Sequence, residues 1–483
     1  MSRRIVGPFN RVEGDLEIKL DIEQGSVKAA WVNSPLYRGF EQILGGRDPR
    51  DALVYTPRIC GICSVSQSMA AAIALAEAGS VEPPLNGRLM RNLVLGVENV
   101  ADHFTHFYLF FMPDFARPVY AGEPWHLEVV KRFRAVEGAA SREVLPVRAA
   151  FMHIMGTLAG HWPHTLGLQP GGTTHSIDGA AQVRVLASLA TFRRFLETRM
   201  FGDRLESVTA LSSKGELDAW RQREPAATSD FGLFLKLADA LSLDTMGRAT
   251  DRFLSYGAYA LDDAFLFKQG VHAQGNDFAF DAAGITEDSS SGWFAPSDGP
   301  RHPSRGVTMP DAEAKDAYTW CKAPRLAGHV VEVGALARQV VDDHPLIRDL
   351  VQGSGGNVAN RVIARLIEIA RVVQALEAWA KRITPHEPFF VDAPALANAE
   401  GVGLIEAARG SLGHWLSVKN GRISNYQIVA PTTWNFSPRD AAGVPGACEQ
   451  ALVGAPVRDG EIEPVAVQHI VRSFDPCMVC TVH

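Results

Sequence analysis

The chain closes on Asp475-Pro476-Cys477-Met478-Val479-Cys480-Thr481-Val482-His483, and near its start it carries Arg58-Ile59-Cys60-Gly61-Ile62-Cys63. Each stretch holds two cysteines at i and i+3. That spacing places both thiols on one face of a helical turn or tight loop, close enough to share a metal. Common zinc modules put their second pair within tens of residues of the first. Here the pairs stand at opposite ends of 483 residues. An active centre that joins the two termini fits this arrangement better than a zinc finger does, with a structural zinc site as the plain alternative. Cys321 and Cys448 stand alone, and six cysteines in a chain of this length are too few for a disulfide scaffold. The expected organisation is therefore one body, residues 1–483, in which the ends meet and residues 425–483 form a C-terminal metal-binding segment.

Apolar residues make up 46% of the chain and charged residues 21%, a globular composition, and the formal charge of −7 argues against a nucleic-acid surface. The most apolar helical segment, Leu93 to Phe111, is interrupted by Asn99, Asp102, His103 and His106, so no membrane span is expected. The opening MSRRIVGPFN lacks an apolar signal core, and a reduced, cytoplasmic protein is the expectation. Within residues 1–35, Leu16, Ile18, Leu20 and Ile22 alternate with charged residues, and Val27, Ala29 and Trp31 repeat the pattern after Gly25. This predicts a small β element packed on a helical body. Helices are expected over Leu89–Phe111, Val183–Phe201 and Val358–Ile383, the last with Arg361, Arg365, Glu368 and Arg371 as a charged side. Residues 281–310 and 385–413 read as irregular, with short strands returning between Leu416 and Val429. The fold class is mainly α with a small N-terminal β element (α+β).

Further segments fall into place around the cysteines. Arg11-Val12-Glu13-Gly14, Arg38-Gly39-Phe40-Glu41, His106-Phe107-Tyr108, Lys322-Ala323-Pro324-Arg325, Asn425-Tyr426-Gln427 and Pro431-Thr432-Thr433-Trp434-Asn435 appear in order along the chain. Together with the cysteine motifs they resemble the large subunit of the nickel–iron hydrogenases over nearly the whole length. The resemblance implies nickel bound by Cys60, Cys63, Cys477 and Cys480. Cys63 and Cys480 would bridge to an iron carrying carbon monoxide and cyanide ligands. Soft thiolates suit both metals. It also implies maturation proteins that make the diatomic ligands. An iron–sulfur small subunit is implied too, because the chain has no cluster motif of its own.

The same resemblance assigns the surroundings. Arg409, in Glu406-Ala407-Ala408-Arg409-Gly410, matches an arginine poised over the open metal position, where a permanently charged guanidinium can polarise dihydrogen. Ala408 replaces the family's proline, near the cyanides. Asp102 and Asp475 match the carboxylates that hold this arginine, Thr433 a donor to a cyanide, and Glu13 a proton relay from a cysteine sulfur. Glu41, His483 and the carbonyl of Val429 match the ligands of a magnesium-type cation. His103 and His161 read as satisfied core histidines. The chain stops at His483, as a mature form or one that never carried an extension.

Three positions depart from the catalytic pattern. Gln67 stands where the first motif usually has a histidine, Ile62 where valine is usual, and Phe110 where leucine is usual. Glutamine cannot titrate, and the other two add bulk on the gas approach. All three resemble the dihydrogen-sensing, regulatory branch, which implies slow dihydrogen oxidation and a histidine kinase partner. An energy-yielding uptake hydrogenase is the alternative. A metal-free quinone-oxidoreductase subunit with the same fold is a third reading, opposed by the intact cysteines and Arg409.

Overall fold

The computed structural model describes residues 2–483. Three antiparallel strands, β1 (Ser2–Val6), β2 (Glu17–Glu23) and β3 (Ser26–Asn33), form the expected N-terminal sheet. Gln24 and Gly25 both take positive φ between β2 and β3, the geometry of a tight two-residue hairpin. Leu16, Ile18, Leu20 and Ile22 point into the core, as the alternation predicts.

Helices build the rest of the frame. Among them are α1 (Ser64–Ala78), α2 (Leu85–Thr105), α3 (Ala139–Ala159), α4 (Gly179–Phe195), α5 (Ala335–Val341), α6 (Val358–Arg382) and α7 (Val465–Ser473). α2 runs into a π-helical turn at His106–Phe111, and α4 into another at Leu196–Met200, so both helices widen locally where simple continuation was expected. α6 begins on Asn357, whose side chain caps the Asn360 amide. The charged side expected for α6 does not face solvent. Arg361, Arg365 and Glu368 are all buried, because α6 packs against both α2 and α5 and each charge meets an internal partner.

More β structure is present than the sequence suggests. A hairpin of two long strands, β4 (Arg252–Leu261) and β5 (Ala264–Ala273), precedes α5. Residues 399–429 form a second antiparallel sheet of β6 (Ala399–Ala407), β7 (Gly410–Lys419) and β8 (Arg422–Val429). The irregular reading of residues 385–413 is thereby corrected. Gly401 and Gly403 look like loop residues but serve close packing. A Cβ on Gly401 would lie 2.1 Å from the Ala74 carbonyl oxygen, and one on Gly403 1.9 Å from that of Ala70. Strand β6 thus rests on the alanine face of α1 with no side chain between them. Residues 281–310 are largely loop, with one short strand, Ile285–Asp288, paired to Ala323–Leu326.

The ends of the chain meet. Glu13 bridges Cys477 in parallel register, the Met478 amide donates to the Glu13 carbonyl at 2.7 Å, and the Arg38 amide to that of Val482 at 3.1 Å. One apolar cluster runs from Val6 to Cys480. Among the described residues no helix is long and apolar enough to cross a membrane.

Candidate metal centre

The first cysteine pair lies on a bend just before α1, with Cys63 at its N-cap. The second flanks a single helical turn, Met478–Thr481, with Cys477 at its N-cap. The local turns aim all four thiols inward. Cys63 Sγ lies 3.2 Å from Cys480 Sγ, and Cys477 Sγ lies 3.0 Å from Cys480 Sγ and 3.4 Å from Cys60 Sγ. All four sulfurs fall within 4.8 Å of one another. All are buried and none forms a disulfide. Hydrogen bonds from Cys477, Cys480 and Cys63 hold the Cys60 thiol well below its ordinary value. Hydrogen bonding pushes Cys63 well up, and burial pushes up Cys477 and Cys480. Holding all four as thiolates at this separation takes cations between them, and the sulfur-only donor set selects a soft or borderline metal.

Arg409 sits beside the sulfurs, 3% exposed. Its Nη1 donates to Asp102 Oδ2 and its Nη2 to Asp102 Oδ1 at 3.2 Å and Asp475 Oδ1 at 3.1 Å, while Nε reaches the Asp475 carbonyl at 2.8 Å. Burial works against the charge on Arg409, but Asp102 and Asp475 outweigh it and keep the group charged. Burial, together with the like charges of Asp475 and Cys60, pushes the Asp102 carboxyl up, and the Arg409 guanidinium pulls it back. Asp475 holds a left-handed backbone, φ 58°, next to the Cys477 ligand position, a strained conformation the surrounding contacts must enforce. Its Oδ2, and Oγ1 of Thr433, are buried without a partner. The Thr433 hydroxyl is thus free to donate to a group with an acceptor of its own beside the sulfur cluster, whereas the Asp475 oxygen can only accept. Glu13 is half-buried, and its carboxyl is pushed up first by burial and then by Cys60.

A second polar nest adjoins the first. Glu41 Oε1 accepts from the Ile428 amide at 2.8 Å and lies 3.3 Å from His483 Nε2, while His483 Nδ1 lies 2.7 Å from the Cys480 carbonyl. Lys322 Nζ stands 3.3 Å from Glu41 and 3.5 Å from Glu287. Burial opposes the charge of Glu41, but Lys322 and His483 overcome it and hold the pKa down at about 2. Val429 is fully buried at the end of β8. Glu287, which sequence reasoning missed, presents two buried oxygens with no hydrogen-bond donor. Two carboxylates against one ammonium, with unpartnered oxygens, suit a hydrated hard cation.

The departures take definite places. Gln67 is buried, its Nε2 3.9 Å from Cys480 Sγ and its Oε1 2.9 Å from His414 Nε2. His414, on β7, was not foreseen. Burial first, then His483, drops its pKa to about 3, so it is neutral, donating to Gln67 while its Nδ1 accepts from Tyr426 at 2.8 Å. Ile62 packs on the main core, and Phe110 is half-buried on the π-helical turn after α2. Ala408 is buried in the turn that carries Arg409. His103 is a core histidine but only half satisfied: its Nε2 lies 3.1 Å from Glu368, while its Nδ1 is buried without a partner. His161 is instead exposed, 3.2 Å from the His164 carbonyl, because the loop after α3 lies on the surface. Cys321 and Cys448 are buried with raised pKa values, ordinary interior thiols.

Residues 38–124 and 141–483 match the nickel-dependent hydrogenase family. The chain belongs to this family, as a large subunit. It is 31% identical to the periplasmic [NiFeSe] hydrogenase large subunit of Desulfomicrobium baculatum, over 99% of this chain and 94% of that one. It is 28% identical to the hydrogenase-2 large chain of Escherichia coli K12, over 100% and 97%. The uptake hydrogenase large subunit of Afipia carboxidovorans is 27% identical, over 100% and 95%. The solved [NiFeSe] hydrogenase of Desulfovibrio vulgaris Hildenborough superposes with a TM-score of 0.84 at 32% identity, covering both chains completely. The four-cysteine cluster is consistent with the nickel–iron active site of this family, and the mainly helical fold with small sheets is the hydrogenase large-subunit fold.

Proposed function

We propose that this chain is the dihydrogen-activating large subunit of an uptake-type nickel–iron hydrogenase that passes electrons to an iron–sulfur small subunit. The observation that carries the reading is the buried four-thiol cluster with the Arg409–Asp102–Asp475 clamp beside it. Cys60, Cys63, Cys477 and Cys480 would hold the nickel, with Cys63 and Cys480 shared with an iron bearing carbon monoxide and cyanide. That group supplies a Lewis-acidic, redox-active site for dihydrogen. Arg409 sets a fixed positive charge over the site, and Asp102 and Asp475 keep it in place. Glu13 accepts the proton that leaves a cysteine sulfur, its raised pKa bringing it nearer to working pH. Thr433 Oγ1 would donate to a cyanide, and Ala408 would line the space beside those ligands. Glu41, His483 and the Val429 carbonyl would hold a magnesium-type cation, and Glu287 could accept from a water on it. Maturation proteins assemble the iron ligands.

The uptake role is favoured by the relatives, one of which is named an uptake enzyme; the sensing role expected from the sequence gives way as the main reading. A second reading keeps that role, and its observation is Gln67. An amide 3.9 Å from Cys480 Sγ, backed by a neutral histidine, puts no titrating group where the catalytic pattern has one. Only that reading brings a cytoplasmic location and a histidine kinase partner; the D. baculatum relative is named periplasmic.

The test is to produce the chain with its small subunit and maturation proteins and measure nickel, iron and the infrared spectrum. One nickel per chain with carbon monoxide and cyanide bands is expected. A metal-free or zinc-loaded protein would sink the reading. Turnover then separates the two roles: about 10–10³ s⁻¹ marks an uptake enzyme, and a rate far below that range a sensor.

A further inference from the structure

Arg409 lies on the two-residue turn between β6 and β7, where Ala407 pairs with Gly410. Two-residue hairpin turns normally rely on positive φ at one or both central residues. Ala408 and Arg409 have none; the positive φ falls on Gly410, at 130°. A turn of this kind needs support from outside, and α5 supplies it. A Cβ on Gly410 would lie 2.6 Å from Val333 Cγ2 and 2.7 Å from the Gly334 amide nitrogen, so the turn is seated directly on the start of α5.

One helical turn further on, Arg338 is 1% exposed and uses all five of its N–H groups. Nη1 donates to the Ala407 carbonyl at 2.8 Å and to Glu406 Oε2 at 2.7 Å. Nη2 donates to the Ala408 carbonyl at 3.0 Å and to Glu368 Oε1 at 2.7 Å, and Nε to Glu368 Oε2 at 3.1 Å. Glu368 comes from α6 and is also held by His103 of α2. Glu406 is fixed by the Tyr256 amide of β4 and by Ser411 of β7. α6 and β6 therefore meet one guanidinium directly, with α2, β4 and β7 bracing its two carboxylates, and that guanidinium grips the two carbonyls immediately before Arg409.

We propose that Arg338 is a positioning residue: braced by Glu368 and Glu406, it fixes the Ala408–Arg409 turn so that the Arg409 guanidinium stands over the four-cysteine centre. This rests on the hydrogenase reading of that centre. Arg338 touches neither sulfur nor substrate, and it acts through Arg409. A lysine at 338 has three donors on a flexible stem and cannot grip two carbonyls and two carboxylates at once. Small displacements of a catalytic group can cost about 100-fold.

The experiment is a double-mutant cycle in the metal-loaded heterodimer with Arg338→Lys, Arg409→Lys and both together. It reads deuterium–proton exchange, the KM for dihydrogen, nickel and iron content, and amide hydrogen exchange over residues 405–412. Arg338→Lys is expected to retain both metals, lose about 10- to 100-fold in exchange rate with little change in KM, and open the 405–412 amides. The double variant should be no slower than Arg409→Lys alone, within a factor of about two. Losses that multiply would overturn the proposal, because Arg338 would then act independently of Arg409. So would an Arg338→Lys protein with wild-type exchange rate. If Arg409→Lys is itself silent, the assignment of Arg409 fails, and this proposal with it. Should Arg338→Lys fail to accumulate, Glu406→Gln takes its place in the cycle with the same criteria and an expected loss nearer 10-fold.

Discussion

Replacing Glu13 by glutamine should separate activity from stability, in opposite directions. The backbone at Glu13 is set by the C-terminal segment, through the Met478 amide at 2.7 Å and the Pro476 carbonyl at 3.4 Å, so an isosteric amide keeps its place. The amide cannot relay a proton. General acid–base groups contribute about 10²–10⁴-fold, so roughly 3–5 kcal/mol should be added to the barrier for proton exit. Stability should move the other way. Burial raises the Glu13 pKa and the Cys60 charge adds to it, with Arg409 and Arg38 pulling back. A carboxyl with a raised folded pKa favours the fold only while protonated. That contribution is complete below the unfolded value, about 4.3, and is lost as pH rises through the folded value. At pH 7 the wild type bears the cost of a half-buried charge and Glu13→Gln does not. The variant should match or exceed wild-type Tm at pH 7, and the gap should narrow toward pH 5. The assays are deuterium–proton exchange, infrared spectra and thermal melts across that range. Unchanged exchange in a metal-replete variant would refute the relay. A Tm deficit that grows with pH would refute the account of its electrostatics.

Three further outcomes are expected. Cys480→Ala should lose nickel and iron together, since one thiol sits within 3.0–3.2 Å of two others and is assigned to both metals; elemental analysis with normal metal content would defeat that assignment. Ile62→Val with Phe110→Leu should make the protein more oxygen-sensitive if these side chains narrow the gas path, at a stability cost of about 1–3 kcal/mol. Equal air tolerance in the folded variant would remove the channel role and weaken the sensing reading. Gly403→Ala should destabilise by about 1–3 kcal/mol or more, because its Cβ meets the Ala70 carbonyl at 1.9 Å; denaturant melts of the heterodimer measure it.

What the sequence reveals and what it conceals have separate physical causes. The cysteine pairs announce a joined centre because i, i+3 spacing is local chemistry, and the N-terminal hairpin shows itself through strict alternation. The sheet of β6 to β8 stays hidden because Gly401 and Gly403 read as loop residues, when their missing side chains are what let the strand lie on α1. α6 misleads in the other direction. Arg361, Arg365 and Glu368 look like a solvent face, yet their partners Glu332, Ser473 and Arg338 lie far from them in sequence or on another element, and no periodicity reports a long-range ion pair. His414 and Glu287 escape for the same reason, since only the fold brings them to Gln67 and Lys322.

Those buried charges bear on how the centre works. Arg361 pairs with Glu332, Arg472 with Asp114, Arg338 with Glu368 and Glu406, and Arg409 with Asp102 and Asp475. Replacing buried ion pairs by well-packed apolar groups is often neutral or stabilising, so stability alone is a weak reason for such a lattice. Direction is a stronger one. Apolar side chains can repack around a displaced turn, whereas a guanidinium with five occupied donors has one low-energy placement. A centre whose ligands come from both ends of the chain, and whose arginine stands on a two-residue turn that relies on outside support, needs that kind of constraint. The lattice connects α2, α5 and α6 to the C-terminal segment through bonds that fail together if one partner moves. On this argument the charges around the cysteines fix geometry first and contribute stability second, so conservative changes among them should disturb exchange rates more than melting temperatures.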